Sequence, residues 1–187
     1  MENQTRRSAI KNLSAVTAGT LMANNQGINM KNGATSTPFV LREKEGRSNE
    51  IYHLMGMDKY LKVSGKDTNG QLALFYGLYV KNDSAPLHVH YKEDEVFYIL
   101  EGEFVVQVGN EKYTLKAGDS VFLPRNIPHT YLALTDNARM LFMTTPAGKQ
   151  EAMFKQLSQM DATATPADFR KVLLAHDQDV VGPPLKA

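Results

Sequence analysis

The sequence predicts an all-β fold, a small antiparallel barrel of the jelly-roll type followed by C-terminal helices, and three observations carry that prediction. From residue 72 to residue 145, short β-branched and aromatic runs alternate with turn residues. The breaks fall at Asn82-Asp83, Glu101-Gly102, Gly109-Asn110 and Gly118-Asp119, residues that tolerate tight turns. Helical periodicity enters only after residue 148, and no internal repeat is visible, so one barrel is expected and not two.

Taken in chain order, residues 1–23 read as an export signal. Thr5-Arg6-Arg7-Ser8-Ala9-Ile10-Lys11 resembles a twin-arginine motif, and the mildly apolar stretch 13–23 behind it is too short to span a bilayer. The expectation is an exported, periplasmic protein, or a cytoplasmic one where the signal is not used. No integral membrane span is expected. Residues 24–48 are polar and rich in Asn, Gly, Ser and Thr, the composition of a flexible linker. The barrel is assigned to 49–147, with strands at 72–80, 86–90, 95–100, 104–108, 112–115, 120–123, 129–134 and 139–144. Segment 51–63 either adds a strand to a neighbour's sheet, making a homodimer, or covers its own sheet edge. Residues 148–187 form a helical extension. There Met153, Phe154, Leu157 and Met160 share one helical face, and Thr165-Pro166 opens a second helix over 167–175.

Composition narrows the chemistry. Apolar residues make up 42%, enough for a real core, and the formal net charge of +1 comes with scattered Lys and Arg, so nucleic acid is not an expected partner. With no cysteine in the chain, thiolate catalysis and sulfur-ligated zinc are excluded, and a bound metal must be held by imidazole and carboxylate.

Three of the five histidines form a pattern. In His88-Val89-His90 the two imidazoles stand at i and i+2 on a strand, so both point to the same face. Glu95 opens the next strand across a short turn, where a hairpin can bring its carboxylate beside the rings. His129 follows a segment stiffened by Pro124 and Pro128. Three imidazoles and one carboxylate suit one divalent transition metal (Fe, Mn, Ni, Co or Cu) and leave positions open for a small-molecule substrate or dioxygen.

These residues reach a known family. His88-x-His90-x4-Glu95-x6-Gly102 resembles the first cupin motif, and Gly118-x5-Pro124-x4-His129 resembles the second. Three departures stand out: Asn82 and Asn126 replace expected glycines, and Ala133 replaces an asparagine. Asn adopts the left-handed backbone conformation that glycine supplies, so the first two changes are mild. Among Glu93, Asp94 and Glu95, spacing to Gly102 and strand parity both select Glu95 as the ligand. Parity places Glu95, Phe97 and Ile99 on one face and Val96, Tyr98 and Leu100 on the other. Glu93 and Asp94 are expected as solvated turn residues. His53 and His176 receive no catalytic role.

The stretches 85–88, 95–102 and 123–129, together with Thr145-Pro146-Ala147-Gly148 and the terminal Val181-Gly182-Pro183-Pro184-Leu185, resemble the single-domain quercetin 2,3-dioxygenase-like cupins. That resemblance implies a metal-dependent dioxygenase acting on a flavonol-like or other phenolic or enol substrate, with Glu95 as the catalytic base. Phe97, Ile99 and Tyr131 are the expected substrate-pocket residues. A sugar or keto-enol isomerase is the alternative enzyme, although Arg125 is the only cation the motifs place nearby for a phosphate. A non-catalytic small-ligand-binding barrel is the alternative outside enzymology.

Overall fold

The computed structural model describes residues 37–187 except residue 162. The export-signal segment and the first part of the expected linker lie outside the described residues. The described residues form eleven strands and two helices. The strands are β1 (Ile51–Leu54), β2 (Met57–Val63), β3 (Ala73–Tyr79), β4 (Leu87–His90), β5 (Asp94–Glu101), β6 (Glu103–Val108), β7 (Glu111–Lys116), β8 (Ser120–Leu123), β9 (His129–Ala133), β10 (Ala138–Thr145) and β11 (Gln178–Gly182). The helices are α1 (Gln150–Ser158) and α2 (Pro166–Ala175).

Two antiparallel sheets face one another, one ordered β1-β2-β3-β10-β5-β8 and the other β11-β4-β9-β6-β7. Each of the eight expected strands is present. Segment 51–63 adds two strands to its own chain's sheet, β2 pairing with β3 (Lys59 opposite Gly77) and β1 pairing back on β2, which leaves β1 at the sheet edge. The terminal strand β11 lies within 148–187, a stretch expected as a helical extension. It pairs with β4, setting Gln178 opposite His90.

Local sequence explains the turns. Asn82 and Asn126 sit at φ 75 and φ 65, the left-handed conformation expected of them as glycine replacements. Gly102 has φ 78, and a Cβ there would approach Ala138 Cβ to 2.8 Å and also meet Thr135, so this position needs glycine for both conformation and space. In the opening turn of α2, the Asp168 N–H donates to Thr165 Oγ1 (3.2 Å) and the Thr165 N–H donates to Asp168 Oδ2 (3.0 Å), a reciprocal cap, with Pro166 in the first turn.

The core between the sheets is rich in aromatic contacts. Phe75 stacks on Phe142 with ring centroids 5.0 Å apart, and Phe154 of α1 meets Phe75 edge-on at 5.2 Å. Residues 37–48, the described part of the expected linker stretch, touch the barrel at several points. Lys62 Nζ donates to the carbonyls of Arg42, Glu43 and Glu45, and Arg47 forms a bidentate pair with Asp67.

Candidate metal centre and cavity

Strand pairing assembles the site. His88 and His129 are direct register partners on β4 and β9, and His90 lies two residues along β4 on the same face. Glu95 comes from β5 in the opposite sheet, so the cluster bridges the two layers. The burial of β5 alternates as parity requires, with Glu95, Phe97 and Ile99 inward and Tyr98 and Leu100 outward. One ligand atom from each of His88, His90, Glu95 and His129 lies within 4.8 Å of all the others.

The donor set fits a divalent cation. His88 Nδ1 donates to the Pro86 carbonyl at 2.9 Å and His129 Nδ1 donates to the Ile127 carbonyl at 3.2 Å, because a carbonyl oxygen can only accept. Both rings are thereby oriented with Nε2 carrying a lone pair, the arrangement that second-layer hydrogen bonds impose on metal-binding imidazoles. His129 Nε2 then meets Glu95 Oε2 at 3.1 Å, two acceptors face to face, which calls for a proton or a metal ion between them. His90 is 1% exposed, and among the described residues neither of its ring nitrogens has a hydrogen-bond partner. A fully buried imidazole left without partners is costly unless a cation takes the lone pair.

Burial, with His129 close by, lowers the His88 pKa to about 3, and burial holds His90 well below its usual value. Both rings stay neutral in the folded protein at a pH where the unfolded chain protonates them near 6.5. Their folded pKa values are depressed, so the unfolded state binds more protons between pH 6.5 and about 3, and stability falls as pH falls through that window. Chelator-treated protein is therefore expected to lose melting temperature steadily on acidification below pH 6.5. His90→Asn should flatten part of that slope, and an identical profile in the variant would contradict this origin.

The neighbouring acidic residues divide differently from expectation. Asp94 lies at the surface, where hydrogen bonds from Arg125 (3.0 Å from Nε, 2.7 Å from Nη2, 2.9 Å from the backbone N–H) lower its pKa to about 2. Glu93, expected as solvated, is 1% exposed instead. Gly148 packs over its carboxylate, the Lys149 N–H points to Oε1 at 3.4 Å, and burial raises its pKa. The turn holding Glu93 is covered by the chain leading into α1, a contact 55 residues away in sequence that no local pattern reveals. Arg125 is tied to Asp94 and does not line the cavity.

His53 is exposed beside Asp58, and His176 ends α2, where Nδ1 donates to the Val172 carbonyl at 2.7 Å.

Beside the cluster lies a cavity of about 100 Å³ whose walls come from β1, β2, β3, β4, β5, β9, β10, α1, α2 and β11. Its lining is mainly apolar and aromatic and includes Leu54, Met57, Phe97, Tyr131, Phe142 and Phe154. Of the four candidate ligands, His88 and Glu95 reach the cavity wall. Of the expected pocket residues, Phe97 and Tyr131 line it. Ile99 does not: it points inward, but it sits farther along β5 from Glu95, opposite Met140, and is fully buried in core.

Sequence reasoning missed the polar residues Lys59, Gln150 and Gln178 of the wall, of which Lys59 is the charged one. Lys59 is 4% exposed, and its ammonium lies 3.5 Å from the Tyr79 ring centroid. The signal was available in the alternation Met57, Lys59, Leu61, which places a lysine in an inward slot of a strand. It becomes legible only once 57–63 is known to be a strand.

Comparison with known proteins agrees with the fold. Residues 76–145 match the family described as cupin domain. A quercetin 2,3-dioxygenase of Bacillus subtilis is 28% identical over 107 residues, covering 57% of this chain and 31% of that protein. An uncharacterized protein of Methanocaldococcus jannaschii is 44% identical over 43 residues, covering 23% of this chain and 34% of its own length. The chain thus spans about a third of each of these relatives. Among solved structures, an RmlC-like cupin from Shewanella frigidimarina superposes with a TM-score of 0.51 at 25% identity, covering 62% of this chain and 96% of that one.

Proposed function

We propose, from the premise that this chain belongs to the cupin superfamily, that it is a metal-dependent oxygenase acting on a small phenolic or enol substrate. The observation that carries this reading is the junction of two features: a His3Glu cluster and an apolar, aromatic-lined cavity meet at His88 and Glu95. A bound divalent transition metal would supply Lewis acidity toward the substrate hydroxyl and a place for dioxygen.

The chain's own residues would do the rest. Phe97 and Tyr131 offer ring faces and edges that orient a flat substrate, and the apolar walls exclude water, so that a developing enolate is not quenched by solvent. Glu95 is the carboxylate at the wall and is placed to take the substrate hydroxyl proton. The cavity is small beside the roughly 300–1,000 Å³ typical of sites for drug-sized ligands, which favours one aromatic ring over a three-ring flavonol unless α1 and α2 shift. A sugar fits poorly. Its several hydroxyls would face a wall whose remaining polar groups are few, leaving buried hydroxyls unpaired. The quercetin 2,3-dioxygenase relative supports oxygen chemistry, and the shared third of that protein leaves its substrate open.

Oxygen uptake by metal-replete protein against flavonols, catechols, small enols and sugars tests the reading. Metal-dependent uptake with a one-ring phenol or enol is expected. A flat response to every phenol and enol would sink it.

A further inference from the structure

The cavity wall carries a buried lysine that forms no ion pair among the described residues. We propose that Lys59 is an anion anchor that binds an acidic oxygen of the substrate, so that the natural ligand is a small aromatic or enolic acid. The inference rests on reading this cavity as the substrate site, and it adds the class of substrate.

Lys59 stands on β2, away from the motif strands that carry the metal cluster, and lines the same cavity as His88 and Glu95. Its ammonium has three donors. Among the described residues they find only Met57 Sδ at 3.8 Å, a weak acceptor, and the Tyr79 ring face, while the Tyr131 and Phe142 rings stand 5.9 Å off. It forms no ion pair among those residues. A lysine buried this deeply is rarely left unpaired unless a partner arrives from outside. Burial holds its pKa well below the usual value, and the charges of Asp83, Asp58 and Glu95 offset this only in part.

A second polar group in the same wall is also incomplete. Gln178 is buried beside Gln150, to which its amide N–H donates at 2.5 Å, and its own Oε1 has no hydrogen-bond partner among the described residues. Two unsatisfied polar groups in a mainly apolar cavity are what a site that expects a polar ligand presents. A carboxylate or phenolate would take the lysine's donors, and a hydroxyl on the same ligand could donate to Gln178. Aromatic walls would hold the ring between them.

The test is binding, with no turnover involved. Full-length protein, both metal-replete and chelator-stripped, is titrated by calorimetry at pH 7 with benzoate and with benzamide, its uncharged isostere. Wild type should bind benzoate about 10- to 100-fold more tightly than benzamide in both forms. Lys59→Met should abolish that preference while leaving benzamide binding unchanged. The variant should fold and melt no lower than wild type, because a thioether replaces an unpaired buried amine. Should it fail to fold, Lys59→Gln is read in the same way. Equal affinity for the two probes in wild type, absence of benzoate binding, or a preference that survives loss of Lys59 would each overturn the anchor. A preference that disappears on metal stripping assigns the acid to the metal and also overturns it. Because no oxygen is consumed, the anchor and the oxygenase reading can fail separately.

Discussion

Metal-replete protein is expected to hold one divalent transition ion per chain, and His90→Ala to bind it more than about 100-fold more weakly, as elemental analysis and chelator competition would show. The reason lies in the geometry of the cluster. Among the described residues His90 has two buried nitrogens without a hydrogen-bond partner, and Glu95 Oε2 faces the lone pair of His129 Nε2 at 3.1 Å. Both arrangements are unfavourable until a cation arrives, so its binding should stabilise the fold. At a free-ion concentration about 1,000 times Kd, the folded state gains about 4 kcal/mol. For a domain of this size that corresponds to a rise in melting temperature of about 8–16 °C. Since Glu95 belongs to one sheet and the three histidines to the other, the ion would tie the layers together. His90→Ala should lose this thermal gain. A variant that keeps both the stoichiometry and the shift would show that the cluster is not the metal site.

Gly102→Ala is expected to destabilise the protein by about 2–4 kcal/mol, against about 1 kcal/mol for Gly118→Ala, read from midpoints of urea unfolding. Both glycines belong to the recognisable motifs, and both have positive φ (78 and 94). They differ in their surroundings. A Cβ at Gly102 would lie 3.0 Å from Ala138 Cα and 2.8 Å from its Cβ, and would also run into Thr135, whereas at Gly118 nothing lies within 4 Å. Alanine at 118 thus meets only backbone strain, and alanine at 102 adds overpacking against β10. Equal costs at the two positions would rule out the contact as the cause. Substitution at 102 should also loosen the far end of β5, the strand that carries Glu95.

What the sequence determined by itself is local and periodic. Turn residues and alternating runs announced eight strands, because side chains on a strand change face every residue and glycine or asparagine is favoured where φ is positive. The same alternation placed His88 with His90 and Glu95 with Phe97, and the spacing to Gly102 singled out Glu95 among three acids. The tertiary structure decided everything that depends on which distant segment lies opposite. Glu93 is buried because the chain at Gly148 covers it, and Ile99 is core because its neighbour across the sheet is Met140. The helical tail returns as β11 to pair with His90's strand, and β2, outside every motif, delivers Lys59 to the cavity. Burial of a charged or polar side chain is a property of its surroundings, and those surroundings come from strand pairing across long stretches of sequence that no short pattern records.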